Sequence, residues 1–201
     1  MVLAFSGSRV LGFSGYKDIE ADVNTDLKYL AELVDAFFRQ RRVARSFQII
    51  EKQEISGWEV WFQIEFANFL VQHESEPEWW REWPVAFDGR KEKRRTFCRA
   101  DFLIRKKGWR TGSYAALEVK QHPEAKECFS SMIKDIDKIS KVKASEVDLR
   151  SFWVLGIHRR KPKPELRTLI DSEFESSGRE LPGKNRIVRY IPNSQYAFSL
   201  F

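Results

Sequence analysis

Glu118 and Lys120 flank Val119 at the end of Tyr114-Ala115-Ala116-Leu117-Glu118-Val119-Lys120, a strand-like run of small and apolar residues that closes on opposite charges. Alternate side chains of a strand share a face, so the carboxylate and the ammonium point the same way. Charges at the end of a buried strand cost desolvation unless something uses them. Asp101 reads as a mid-strand acid in Cys98-Arg99-Ala100-Asp101-Phe102-Leu103-Ile104. The turn at about 106 to 112 lets its strand pair with the one carrying Glu118. Two carboxylates brought that close repel unless a cation lies between them. Mg²⁺ suits the pair, because it takes hard oxygen ligands and keeps several waters. The Val119 carbonyl is a candidate third ligand. Lys120 would stand beside water whose pKa the cation lowers, placed to orient it or to stabilise charge on a phosphate. Glu65, inside the apolar helix that precedes the strands, is the candidate that completes or extends the metal shell. Glu59, beside Phe62 and Gln63 on that helix, reads as a solvated charge.

The pattern Ala100-Asp101, then Glu118-Val119-Lys120, within a helix–strand–strand–strand–helix–strand order, resembles the PD-(D/E)XK nuclease superfamily with its restriction-endonuclease-like fold. The resemblance covers roughly Gly57 to Ile157. It implies that Asp101 and Glu118 hold Mg²⁺, with Mn²⁺ as a substitute, and that Lys120 assists the attacking water. Gln63-Ile64-Glu65 looks like the Q-x-E form of the family's helical element, which selects Glu65 over Glu59. Ala100 stands where the family's nominal proline would be. An isolated ExK is common by chance; the weight lies in the acid and the ExK falling on consecutive strands behind a helix with an internal glutamate. The resemblance implies a metal-dependent nuclease hydrolysing DNA phosphodiesters. Two alternatives stay open. One is a non-catalytic nucleic-acid-binding or interaction module on the same scaffold. The other is an accessory nuclease subunit of a transposition, restriction or phage-encoded complex.

A net charge of +6 and a pI near 9.3 mildly favour a polyanionic partner. The run Arg90 to Arg95 reads first as a solvated hairpin tip, yet Arg94 and Arg95, with Arg159 and Arg160, are the best candidates for phosphate contacts, whose counterion release makes binding salt-dependent. Gln121 directly follows the motif and either contacts the scissile phosphate or caps the strand end. Lys134 and Lys138 lie one turn apart on the next helix, within reach of phosphates, although a solvated helical face is their commoner use. His122 is a spectator. Trp79, Trp80 and Trp83 either stack on bases or pack. No groove-reading helix is evident. A homodimer or a larger nucleoprotein assembly fits such a site, with the first helix as a possible dimer surface.

The elements that must position these residues follow from periodicity. The chain has 201 residues, 42% of them hydrophobic, enough for one compact unit: an N-terminal arm and helix over 1–56, packed on a nuclease-like domain over 57–201. Residues 1–23 read as short strands or an irregular arm; Gly7 and Gly12 have P-loop spacing, but Phe13-Ser14 replaces the required Lys-Ser/Thr. Apolar spacing predicts helices over Asn24–Arg45 and Gly57–His73, the second turning Trp58, Trp61, Ile64, Phe69 and Leu70 inward with Phe62 and Phe66 on a flank. Glu74 to Trp83 reads as a loop. Three strands follow as a meander, 85–87, 96–105 and 114–119, then a helix from Pro123 to about Ser145, a doubly buried strand over 151–157, a basic loop from His158, a short helix over 165–175 and an edge strand over 186–191. The expected fold class is α/β, a central mixed sheet flanked by helices in the order αβββαβ, with an N-terminal helical extension. Cys98 and Cys128 suggest reduced thiols, and no CxxC pair suggests zinc. No apolar run is long enough to span a membrane and no leader is evident, so a cytoplasmic protein is expected.

Overall fold

A computed structural model describes residues 14–86, 97–139, 148–179 and 185–201. Arg94 and Arg95, with the rest of the charge run and the first thirteen residues, lie outside them.

Helix α1 spans Ser14–Phe38 and buries Leu27, Leu30, Ala31, Val34, Phe37 and Phe38, the apolar positions that recur at helical spacing. It begins inside the segment expected to be irregular. It also stops earlier than the sequence suggests. Gln40 is extended, with ψ of 131°, and α2 (Arg41–Lys52) restarts after it, burying Val43, Phe47 and Ile50. One expected helix is therefore two. The break lets both buried stripes face one core: Phe38 of α1 meets Phe47 of α2 edge-on at 5.3 Å.

Helix α3 (Glu59–Gln72) corrects the expected core face. Phe62 and Phe66 are fully buried, and Ile64 is at the surface. Phe62, Phe66 and Phe69 stack along the helix at 5.6 and 5.8 Å, and Phe37 closes on all three edge-to-face. Aromatic geometry thus set the rotation of the helix, where hydropathy alone ranked Ile64 with the rest.

Among the described residues, six strands form a mixed sheet in the order β1-β4-β5-β6-β8-β7: β1 Glu78–Arg81, β4 Phe102–Arg105, β5 Ser113–Gln121, β6 Asp148–Arg159, β8 Tyr196–Leu200 and β7 Ile187–Tyr190. Only β5 and β6 pair in parallel. That pairing requires a crossover, supplied by α4 (Ala125–Ile139). Helices α1 to α3 cover one face of the sheet; α4 and α5 (Lys163–Ser176) cover the other, with Cys128, Met132, Leu166 and Ile170 against Val154 and Ala197. Buried residues of α1, α2 and α3 share one cluster with those of the sheet, so the N-terminal helices and the sheet have a common core. The chain is an α/β protein with a mixed central sheet flanked by helices, and no described helix is long and apolar enough to cross a membrane.

Three strands differ from expectation. The Trp-rich run expected to be a loop is β1, the edge strand beside β4. The strand expected over 96–105 is split at Ala100-Asp101, so that β3 (Phe97–Arg99) leaves the sheet and pairs with β2 (Pro84–Ala86) as a separate ribbon. Asp101 is therefore at a break, not mid-strand. Strand β8, whose five residues are all buried, inserts between β6 and β7. His158, expected in a loop, lies inside β6 fully buried. Its Nδ1 meets the Arg159 carbonyl at 2.9 Å and its Nε2 meets Ser199 Oγ at 3.0 Å, while burial pushes its pKa down to about 4.

Helix α4 seats closely on the sheet because Gly156, opposite Lys120 in register, has no side chain: a Cβ there would meet Cys128 Sγ at 2.9 Å and overlap Met132. Gly156→Ala is expected to lower stability by about 1–2 kcal/mol, because Met132 can yield but Cys128 cannot. A melting point within error of the parent would show that α4 is not seated by this contact.

Candidate functional site

Asp101 occupies the gap left where β3 parts from β4. The β4–β5 ladder pairs Phe102 with Leu117, so the next position places Asp101 beside Glu118. Its backbone no longer serves the ladder. Its carboxylate does: Val119 N–H donates to Oδ2 at 2.7 Å, replacing the strand carbonyl that the break removed. Gln63 of α3 donates from Nε2 to Oδ1 at 2.8 Å, and Arg81 of β1 donates to Gln63 Oε1 at 2.9 Å. Three elements thereby fix one carboxylate. The N–H and C=O of a strand residue face the same edge, so the Val119 carbonyl is also directed to the edge where β4 has ended.

Glu118 is buried on the face of β5 that α4 covers, with Lys120 beside it as the alternation requires. Lys120 Nζ is 3.3 Å from Glu118 Oε1 and 2.9 Å from Asp135 of α4. Lys138, one turn on, is 3.8 Å from Glu118 and 3.9 Å from Asp135. Asp135, which lies between Lys134 and Lys138 on α4, joins Lys138 at the acids and was not among the candidates the sequence offered. The available signal was its i,i+3 spacing to Lys138. Which side of α4 met the sheet was decided by the apolar residues.

Of the two glutamates on α3, the one beside Asp101, Glu118 and Lys120 is Glu59 and not Glu65. Glu65 pairs with Arg42 of α2 at 3.1 Å, on the side of α3 turned away from the acids. Glu59 stands in the first turn of α3, at the carboxyl end of β5, where the Gln121 backbone N–H donates to it and the charges of Lys120, Glu118 and Asp135 reach it. The correction follows from the rotation of α3. With Phe62 and Phe66 on the sheet, the residues adjoining that stripe at the strand ends are Glu59 and Gln63, one turn apart.

The basic candidates divide. Lys138 joins the acid cluster and Lys134 is exposed on α4. Gln121 ends β5, half-buried. Arg159 is exposed, 4.0 Å from Glu54, on a cavity of about 300 Å³ that Glu51, Arg160, Gln195 and Tyr196 also line. Arg160 is not free for phosphate: its guanidinium donates to the carbonyls of Tyr196 and Ile191 and lies 4.9 Å over the Tyr190 ring, tying the β6 end to β7 and β8. His122 accepts the Glu124 backbone N–H in a local turn, in keeping with a spectator role.

Burial raises the Asp101 pKa to about 6 against the pull of the Val119 N–H, and burial together with the Asp101 charge raises Glu118 to about 7. Burial also raises Glu59. Lys120 is held protonated: burial works against its charge, but Glu118 and Asp135 outweigh it and raise its pKa. Among the described residues no three acidic, histidine or cysteine side chains converge to cage a metal ion. Mg²⁺ needs no such cage, since one or two carboxylates suffice when water and substrate phosphate complete the shell. Asp101, Glu118 and the Val119 carbonyl are a hard-oxygen set of that kind, and two raised carboxylates are the strain that a bound dication relieves. Comparison of the chain with protein-family models, with curated proteins and with solved structures finds no match.

The raised Glu118 pKa fixes the sign of a pH effect. Between about 4.5 and about 7 the folded protein binds more protons than the unfolded chain, so metal-free stability falls as pH rises through that window. Glu118→Gln is expected to flatten this slope and to be the more stable form at pH 8 by on the order of 2 kcal/mol, with Mg²⁺ raising the melting point of the parent and not of the variant. Thermal melts at pH 5 and pH 8, with and without Mg²⁺, read this directly; parallel slopes for parent and variant would show that Glu118 is not strained.

Proposed function

We propose that this chain is a Mg²⁺-dependent nuclease with a restriction-endonuclease-like core, hydrolysing DNA phosphodiester bonds. The observation that carries the reading is the meeting of Asp101 and Glu118 at the start of β4, with Lys120 on the same face of β5 as Glu118. With the β2–β3 ribbon set aside, the succession α3, β1, β4, β5, α4, β6 is compatible with the αβββαβ order that the PD-(D/E)XK resemblance implies, with β1 in place of the strand expected over 85–87.

Asp101 and Glu118 would hold the cation, with the Val119 carbonyl beside them. A cation held there would supply neutralisation of phosphate charge and a lowered pKa for the attacking water. Gln63 keeps Asp101 in register with Val119. Lys120, protonated, cannot act as a base in this state; it donates to a phosphate oxygen on which charge accumulates as water attacks phosphorus and the ester oxygen leaves. Asp135 positions Lys120 from α4. Glu59 sits within the same field, where its raised affinity for protons suits it to take one from water.

A second reading draws on one feature. Lys120 and Lys138 already offset Glu118 and Asp135 without a cation, which is what a non-catalytic binding module on this scaffold, or a subunit active only within a larger assembly, would keep. The cleavage assay separates them. With Mg²⁺ or Mn²⁺ the parent is expected to cut supercoiled plasmid and single-stranded DNA. Asp101→Ala, Glu118→Ala and Lys120→Ala should each lose at least about 10²-fold, and Glu59→Gln about tenfold or more, while Glu65→Gln stays near the parent. Turnover by the alanine variants at the parent's rate would refute the assignment. No turnover and no calorimetric metal binding by the parent would favour the binding module.

A further inference from the structure

Two indoles stand in the open beside the acids. Trp80 and Trp83 are 46% and 44% exposed, their ring centroids 5.2 Å apart and their planes inclined by 52°. Phe97, on the ribbon strand β3, is 46% exposed, with the Arg99 guanidinium 5.0 Å over its ring. Aromatic rings ordinarily bury most of their area. Here the backbone holds them out. Trp80 is opposite Leu103 and donates from Nε1 to Tyr114 Oη at 3.4 Å, which puts it on the sheet face of Tyr114, Ala116 and Glu118. Between the indoles Glu82 has a φ of 53°, a left-handed conformation uncommon in residues with a Cβ. That kink brings Trp83 back to Trp80. Arg81, between them in sequence, donates to Gln63, and Gln63 donates to Asp101. Arg81, next to Trp80 in sequence, is thus linked to Asp101 through two hydrogen bonds, on the opposite face of β1 from the Trp80 ring.

We infer that Trp80 and Trp83 form a stacking platform for unpaired bases, so that the substrate class of this site is single-stranded DNA, including the single-stranded parts of flaps, junctions and ends. In a duplex each base face is covered by its neighbours, and an indole can reach only edges and backbone. An unpaired base offers its whole face, and stacking on exposed aromatic rings among cations is how single strands are held without sequence preference. At 5.2 Å the two indoles already touch, so an unpaired base would stack on the outer, exposed face of either ring and not between them. Arg99, opposite Pro84 on the ribbon and so beside Trp83, supplies positive charge for a phosphate backbone, while Arg81 is paired with Glu82 and turned to Gln63.

The inference takes its catalytic meaning from the hydrolytic reading of the acid pair, but binding can be tested apart from it. The full chain carrying Glu118→Gln, without divalent metal, is titrated by fluorescence anisotropy against a labelled oligo-dT of about 20 nucleotides and a duplex of the same length. The single strand is expected to bind at least about tenfold more tightly than the duplex. Trp80→Leu and Trp83→Leu should each weaken single-strand binding by about 5- to 100-fold and change duplex binding by less than about twofold, and Trp→Phe at either position should retain most of the affinity. Melting points of the variants close to the parent's keep misfolding out of the comparison. Equal affinity for strand and duplex, or single-strand affinity indifferent to both leucine variants, would overturn the platform. So would binding of neither oligonucleotide, which would leave the rings to a protein partner. Ring-dependent strand binding in a chain that never cleaves would refute the nuclease and uphold the platform; cleavage with no dependence on the rings would do the reverse.

Discussion

The Asp101 carboxylate accepts the Val119 amide where β4 ends and the chain leaves the sheet, and the geometry around it follows from that bond. Beyond Phe102 the chain peels away to pair as β3 with β2, which leaves the amide of Val119 facing an empty edge. An orphaned amide inside a sheet costs about as much as a lost hydrogen bond. A carboxylate of the right length repairs the ladder, and in doing so it is pinned, buried and brought against Glu118. Gln63 and Arg81 then hold it from α3 and β1. The break, the buried acid and the ribbon above it are therefore one structural event.

Burying acids in this way works against stability, and the surroundings show how it is contained. Both carboxylates keep protons to higher pH than free carboxyls do, because burial disfavours their charge. Lys120 and Lys138 offset part of the charge, and Asp135 in turn fixes the lysines. These contacts come from α4, whose close seat on β6 depends on Gly156. A glycine with no chemistry of its own thus governs how near the ammonium groups lie to the acids. Such arrangements of mutually perturbed groups recur where chemistry is done, since a group held against its preferred state is poised to change it.

Positive charge, by contrast, is a poor guide to contact surfaces in this fold. Arg160 clamps strand carbonyls, Arg42 pairs with Glu65 and Arg105 with Glu78. What remains open beside the acids is an aromatic ribbon edge with Arg99 above Phe97. The guanidinium groups nearest the core are occupied by structural carbonyls and carboxylates, because a buried fork of donors must be satisfied locally.

The sequence by itself determined the α/β class, the succession of most elements and the meeting of Asp101, Glu118 and Lys120. Period-two alternation put Glu118 and Lys120 on one face, and a short turn brought Asp101 to them; both are local rules that need no knowledge of the rest of the chain. The sequence also named Gln63 and Glu65 as a pair on one helix, and there its reach ended. The turn of α3 about its axis is fixed by stacked phenylalanines from α1 and α3, contacts between segments far apart in sequence, so that Glu59 faces the acids and Glu65 faces Arg42. The split of one strand into β3 and β4 was hidden for a similar reason: Cys98 to Ile104 has continuous strand character, and only competition between two partners, β2 and β5, decides where it parts. Strand β8 is five residues long and finds its place between β6 and β7 through pairing alone. Short-range periodicity fixes which residues share a face; only the packed core decides what that face meets.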